Sequence, residues 1–287
     1  MTLQASIDAG VTRLDCGGRA LDLGRVGVMG VLNVTPDSFS DGGLFLARDR
    51  AVDHAIRMVA EGAAIIDIGG ESTRPGARGV SVQEELDRVI ALIEALQQAI
   101  AVPISIDTSK PEVMRAAVAA GAGMINDVRA LRAPEALQTA AQLGVPVCLM
   151  HMQGEPRTMQ EDPRYVDVVQ EVKEFLRLRS QACRDAGIHA ANIIVDPGFG
   201  FGKTLEHNLE LLRNLGELAT LGTPVLVGLS RKSMIAKVLD LPLERRMIAS
   251  VALAVVAVQN GANLVRAHDV GATCEAVRMA EAVYRAG

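Results

Sequence analysis

Eight short β-rich segments, each followed by a stretch of helical periodicity, limit the folds open to this sequence more than any other feature. The β-rich segments are 26–33, 64–68, 102–107, 123–127, 145–150, 192–196, 224–229 and 262–266. Helical spacing fills the gaps at 50–61, 81–100, 111–120, 133–143, 165–186, 205–215, 233–260 (interrupted at Pro242) and 270–284. Gly62, Gly121, Gly144, Gly187 and Gly261 stand where these helices should stop. The first segment is almost wholly aliphatic, as expected of a parallel strand buried on both faces. Eight strands alternating with eight helices in 287 residues predict one closed (β/α)8 TIM barrel spanning 1–287. Residues 11–24, turning at Gly17-Gly18, add a short N-terminal hairpin within 1–25. An open doubly wound sheet is the alternative, but it would leave two edge strands that a closed barrel does not have.

Nearly every segment ends in a polar residue: Asn33, Asp67 with Glu71, Asp107, Asn126-Asp127, His151, Asp196, Ser230-Arg231, and Arg266 with His268. In a barrel these ends share one rim, where active sites are built. One such residue usually caps the next helix, whereas a whole rim of them, with several carboxylates, points to a ligand. Asp107, Asn126 and Asp196 lie on neighbouring strands and should converge. Two carboxylates and a carboxamide suit a flat heterocycle with adjacent N–H donors, such as a 2-amino-4-oxo pyrimidine ring. On the far side, Arg231, Lys232, Arg266 and His268 form a cationic set after strands seven and eight, the usual phosphate site of a barrel. Strand eight closes against strand one, so Arg266 and His268 are expected near Asn33. There Asn33, phosphate oxygens and waters would share a Mg²⁺, a metal content with few protein ligands.

The connections carry further signals. Asn33 ends an apolar run and either caps a turn or faces a polar ligand. The Pro, Asp, Ser and Gly-rich stretch 35–43 is long for a strand-to-helix link and reads as a lid or a solvated turn. Ser72-Thr73-Arg74-Pro75-Gly76 is a second such loop. Ser109 is placed to cap the helix that opens at Pro111. PGFGFGKT at 197–204 is no Walker loop, because Pro197 stands where that pattern needs glycine. Its glycines let the backbone approach a flat ligand, with Phe199 or Phe201 as an apolar wall, and Lys203 reads as a solvated charge. His151 to Gln153 offer no reading.

Composition excludes some partners. With 29 basic against 34 acidic residues, a net charge of −5 and no Trp, nucleic acid is not expected. The longest apolar stretch, 247–258, is too short to span a bilayer, and residues 1–10 show no secretory pattern. Cys16, Cys148, Cys183 and Cys274 have neither metal nor redox spacing, so a reduced, cytoplasmic protein is expected.

MGVLNVTPDSFSDGG, GGESTRPG, SIDTSK, INDV, MHMQGEP, VDPGFGFGK, GLSRKS and RAHDV occur in this order along almost the whole chain. Together they resemble the dihydropteroate synthases, the folate-pathway enzymes inhibited by sulfonamides. The resemblance implies condensation of 7,8-dihydropterin-6-ylmethyl diphosphate with 4-aminobenzoate, assisted by Mg²⁺ and passing through a cation-like state. It assigns the pterin to Asp107, Asn126, Asp196, Lys232 and Arg266. It assigns the diphosphate to Asn33, Thr73, Arg74, Arg266 and His268, and the aminobenzoate to Phe39, Thr73, Pro75, Phe201 and Ser233. Asp107, Asp196, Lys232 and Asn33 would carry catalysis, and a homodimer built on the late helices is implied. A methyltetrahydrofolate methyltransferase would share the Asp–Asn–Asp set but has no use for TPDSFSDGG or STRPG. A silent paralogue differs only in turnover.

Overall fold

The computed structural model describes residues 13–34, 43–72, 79–155 and 158–285. Phe39, Thr73, Arg74 and Pro75, with the two loops that carry them, lie outside the described residues.

A hairpin comes first: β1 (Arg13–Cys16) pairs antiparallel with β2 (Arg19–Asp22). Gly17 and Gly18 turn it with φ of 65° and 86°, a left-handed pair that residues with a Cβ resist. Then β3 (Gly27–Asn33), β4 (Ile65–Gly69), β5 (Ile104–Asp107), β6 (Met124–Asp127), β7 (Val147–Met150), β8 (Ile193–Asp196), β9 (Leu226–Gly228) and β10 (Leu264–Ala267) form one parallel sheet. Its order is β8-β7-β6-β5-β4-β3-β10-β9. A parallel bridge between Val195 and Val225 joins the two ends, so the sheet closes into the expected (β/α)8 barrel. The open-sheet alternative is thereby excluded.

Helices α1 (Gly43–Ala60), α2 (Val82–Ala99), α3 (Pro111–Ala119), α4 (Ala136–Leu143), α5 (Val168–Asp185), α6 (Leu205–Arg213), the short α7 (Gly216–Ala219), α8 (Ser233–Leu239), α9 (Met247–Gln259) and α10 (Val270–Arg285) surround it. Val89, Leu92, Ile93 and Leu96 of α2 pack on the outward side chains of the barrel, such as Ile66, Ile68, Ile104 and Ile106. Among the described residues no helix is long and apolar enough to cross a membrane.

Element ends follow local chemistry. All five helix-stop glycines have positive φ. Ser81 caps α2 in a reciprocal box with Glu84. Three starts differ from expectation. α1 begins at Gly43 rather than at 50, because Leu44, Leu46 and Ala47 are strong helix formers that follow the helix-weakening pair Gly42-Gly43 in the sequence. α4 begins at 136 because Ala130, Leu131 and Glu135 take left-handed φ of 52°, 56° and 62°. α5 begins at 168 because the Asp167 side chain accepts from the Val169 and Gln170 N–H groups. The break at Pro242 is a 3-10 turn, Leu243–Arg245, between α8 and α9.

The hairpin plugs the N-terminal end of the barrel. Leu14, Cys16, Leu21 and Leu23 join Met29, Ile65, Met124, Cys148, Ile194, Leu226 and Leu264 in one buried cluster. Arg19 ties the plug down with 2.9 Å and 2.6 Å bonds to the Val102 and Gln97 carbonyls. Gly123 lets the hairpin close, since a Cβ there would lie 2.0 Å from the Cys16 carbonyl oxygen.

Candidate active site

At the other end, the strands deliver charge to one pocket. Asp107, Asn126, Asp196 and Arg266 come from β5, β6, β8 and β10, and Lys232 from the residue before α8. Val128, Met150, Phe199 and Phe201 supply apolar walls, and Gly228 leaves space. Parallel register sets Asp107 beside both Asn126 and Gly69, so the three strands present their ends at one level.

Arg266 crosses the barrel mouth and bonds Asp67 Oδ2 through Nε at 2.6 Å and Asp107 Oδ2 through Nη2 at 3.0 Å. Asn126 donates to the same Asp67 oxygen at 3.2 Å. Asp196 accepts the Gly198 N–H at 2.7 Å through Oδ1. Lys232 Nζ sits 4.3 Å from the Phe201 ring centroid, a cation–π contact that holds the ammonium over the pocket.

Burial sets the charge states. It pushes the Asp107 carboxyl up to about 7, with Arg266 resisting and Asp67 reinforcing. It raises Asp196 to about 6 against the Gly198 N–H and Lys232. It lowers Lys232 to about 8, Arg266 adding to the effect. Burial also works against the Arg266 charge, but Asp67 and Asp107 outweigh it and hold that pKa above its usual value. Three carboxylates and two cations in a poorly solvated mouth are poised for a ligand that brings its own N–H donors and negative charge.

The glycine-rich turn after β8 is held from below. Lys203 is no solvated charge: it is 2% exposed and donates to the Gly198 and Phe201 carbonyls at 3.0 Å and 3.1 Å, with His151 Nδ1 at 2.9 Å. Burial, then the neighbouring Lys203, push the His151 pKa far down, so this ring is a neutral acceptor for the lysine. Burial likewise lowers Lys203 to about 7, although Asp196 opposes it. Gly198 has φ of 67° and its Cβ would lie 1.9 Å from the His151 carbonyl oxygen. No other residue fits there.

The cationic rim is smaller than expected. Arg231 is committed to Asp269, with Nε 3.0 Å and Nη2 2.5 Å from its oxygens. Burial, with Arg266 and Arg231 nearby, lowers His268 to about 4, so it is neutral at pH 7, and its Nδ1 lies 3.0 Å from Ser230 Oγ. Of the four groups, Lys232 and Arg266 line the pocket. Asp127 belongs to the loop rather than to the rim: it accepts from Ser109 Oγ and from the Arg129 and Leu131 N–H groups. Ser109 therefore caps no helix. The residue before α3 is Lys110, whose Nζ is bonded instead to Glu71 and to the buried Glu85.

Asn33 ends β3 in register with Gly69, and β10 pairs with Gly27 to Gly30, further down the strand. No hydrogen bond among the described residues joins Asn33 to Arg266 or His268. Its Oδ1 lies 3.3 Å, and Asp107 Oδ2 3.8 Å, from the point where a Cβ on Gly69 would stand. The missing side chain thus leaves a carboxamide and a carboxylate facing one space. Ser233 opens α8 and is exposed. Asp67, expected on the rim but without a role, is joined to the site through Arg266 and Asn126, and its inward position two residues beyond Ile65 follows from the strand alternation.

Among known proteins, a family model described as pterin binding enzyme matches residues 29–268. A dihydropteroate synthase of Haemophilus influenzae is 52% identical over 96% of this chain and 100% of its own. The chain belongs to the dihydropteroate synthase family. Two solved family members from Xanthomonas albilineans superpose closely. One, with 4-aminobenzoic acid, has a TM-score of 0.90 at 54% identity, covering 95% of this chain and 98% of that one. The other, in complex with 7,8-dihydropteroate, has a TM-score of 0.87 at 52% identity, covering 94% and 98%. The family's chemistry therefore has a barrel mouth of matching topology in which to run.

Proposed function

We propose that this chain is an alkyl transferase of folate biosynthesis that joins 7,8-dihydropterin-6-ylmethyl diphosphate to 4-aminobenzoate, releasing 7,8-dihydropteroate and diphosphate. The observation that carries the reading is the pocket of Asp107, Asn126, Asp196, Lys232 and Arg266, closed on its apolar side by Phe199 and Phe201. Asp107 and Asp196 accept the paired N–H groups of the pterin, and Asn126 completes that edge. Lys232 donates to the pterin from above Phe201, and Arg266 covers the ring.

The aminobenzoate amine is a weak nucleophile, so the carbon–oxygen bond to diphosphate opens ahead of attack. Positive charge then spreads from the exocyclic methylene into the ring, where Asp107 and Asp196 stabilise it. Arg266, Arg74 and Thr73 receive the departing diphosphate, and His268 acts there as a neutral hydrogen-bonding ring. Phe39, Pro75 and Phe201 flank the benzoate ring and Ser233 meets its carboxylate. The loops bearing Phe39 and Pro75 exclude water from the cation.

Mg²⁺ fits the donor set in a limited way. No group of three or more His, Cys, Asp or Glu side chains among the described residues could cage a metal. The Asn33 carboxamide, facing open space beside Gly69, suits an ion that takes few protein ligands and completes its shell with phosphate oxygens and water. Bound there, Mg²⁺ would neutralise charge on the leaving diphosphate.

The protein works in the cytoplasm, where its four free, buried cysteines stay reduced, and forms a homodimer. Ile248, Val283, Met279, Val238 and Leu239 expose 78%, 67%, 65%, 57% and 51% of their surface on α8, α9 and α10, which supports a partner copy on the late helices.

Turnover with both substrates and Mg²⁺ tests the reading, product being followed by chromatography. Diphosphate affinity should depend on Mg²⁺, and Asn33→Ala should weaken that dependence. Absence of dihydropteroate overturns the function; diphosphate binding indifferent to Mg²⁺ overturns the metal at Asn33.

A further inference from the structure

Asp67 is wholly buried on β4, and its hydrogen bonds set it apart from the other buried carboxylates. Asp127 is saturated by a hydroxyl and two backbone N–H groups, which makes it a strut of its own loop. Among the described residues no backbone group donates to Asp67. Its Oδ2 takes both of its bonds, from Arg266 Nε and Asn126 Nδ2, two side chains that line the pocket. Its Oδ1 has no hydrogen-bond partner among the described residues. Burying a carboxylate with one oxygen unsatisfied weakens a fold, so the residue's contribution lies with what it holds rather than with stability.

We propose that Asp67 is a positioning residue that fixes which edge Asn126 shows to the ligand and where the Arg266 guanidinium sits. The assignment rests on the pterin reading of the pocket. A carboxylate paired with a guanidinium accepts and does not donate. The Asn126 amide must therefore turn its nitrogen, not its oxygen, towards Asp67. One N–H is spent there. The second N–H and the Oδ1 remain, a donor beside an acceptor. That edge complements an amino group next to an unprotonated ring nitrogen, as on a 2-aminopyrimidine. The reversed amide would set Oδ1 against the carboxylate and show the ligand only donors. Asp67 thus selects for the 2-amino group without touching it, and the same oxygen holds Arg266 by Nε so that Nη2 reaches Asp107.

Asp67→Leu is the test, because it is close to aspartate in shape, offers no acceptor at all, and leaves Arg266 paired with Asp107. Free pterin and its 2-deamino analogue are titrated by calorimetry into both proteins, and steady-state constants are measured alongside. The native protein should prefer the amino ligand, and in Asp67→Leu that preference should shrink roughly tenfold, since without an acceptor at 67 the Asn126 amide is free to flip. An asparagine would not serve, because its oxygen would stay at the Oδ2 position facing Arg266 and keep Asn126 donating. The KM for pterin diphosphate should rise while that for aminobenzoate stays within about twofold. In an Asn126→Ala background, Asp67→Leu should leave the preference unchanged. Asp67→Ala, smaller and also without an acceptor, repeats the measurement should the leucine variant fold poorly. A native preference retained in both variants overturns the proposal, as does an equal loss for the two ligands. Native protein that binds neither ligand overturns the pterin reading instead.

Discussion

The two ends of the barrel use the same strands for opposite purposes. Ile65, Met124, Ile194 and Leu264 point inward and meet the hairpin in a dry cluster. Two residues further along, Asp67, Asn126, Asp196 and Arg266 gather at the mouth. These are same-face positions about 6.6 Å apart on each strand. The lower layer gains from leaving water. The upper layer loses by it, as the raised carboxyls of Asp107 and Asp196 and the lowered ammonium groups of Lys203 and Lys232 record. One barrel therefore stabilises at its base the charges that it strains at its rim.

If that division holds, damage at the base should unfold the protein and leave the chemistry of the survivors intact. Gly123→Ala is the strongest form of this test. The new Cβ would lie 2.0 Å from the Cys16 carbonyl oxygen and 2.3 Å from its carbon, both backbone atoms that no rotamer change can clear. The hairpin must lift off the cluster, which should cost about 3 kcal/mol of stability in urea denaturation. Folded protein should bind free pterin with native affinity. Native stability would show that the plug is not held by this contact.

Damage at the rim should do the reverse. Asp196→Asn keeps an oxygen for the Gly198 N–H, the backbone bond that Asp196 now accepts, so the fold should be nearly unaffected. Facing ligand donors, the amide loses a charge-assisted pair, and pterin affinity should fall by about 2–3 kcal/mol in calorimetry. Equal affinities would remove Asp196 from the pocket, while a large drop in melting temperature would show that rim and base are not separable.

How much of this could be read in the residues follows the same divide. The barrel was legible because alternation and helix-stop glycines are local, periodic signals. The pocket residues at strand ends were legible because topology alone puts strand ends together. Partnerships across the barrel were not. Nothing local says that Arg266 reaches over β3 to Asp67 and Asp107, or that Arg231 is taken by Asp269. Both arginines look equally free in a sequence. Lys203 is hidden for the same reason: a lysine in a glycine-rich turn looks solvated, yet His151, just past the end of β7, fills in beneath it. Charge state is the least legible of all, since the neutral His268 owes its low pKa first to burial, then to Arg266 two residues before it and to Arg231 from another part of the chain.

Acidity offers the mildest perturbation and the sharpest discrimination, because the strained rim carboxyls should make stability and ligand affinity move in opposite directions. Burial raises Asp107 to about 7 and Asp196 to about 6, from an ordinary value of 3.8. A carboxyl whose pKa rises on folding binds its proton more tightly in the folded state. Its contribution to stability is present below the ordinary value and is lost as the pH climbs through 6 to 7. Ligand binding runs the other way, since the charged acceptors exist only above those values. Lys232, lowered to about 8, adds an upper limb by losing its charge beyond that pH. Free pterin affinity should therefore rise between pH 5.5 and 7.5 by about 1–2 kcal/mol, then decline above 8. Over the lower interval the native fold should lose stability relative to Asp196→Asn, a difference that isolates this carboxyl from the many others on the surface. Urea denaturation and calorimetry at four pH values measure both quantities. Affinity flat across the range, or stability and affinity falling together towards acid, would mean that the rim carboxyls are not strained and that the contrast between the two layers is one of shape alone.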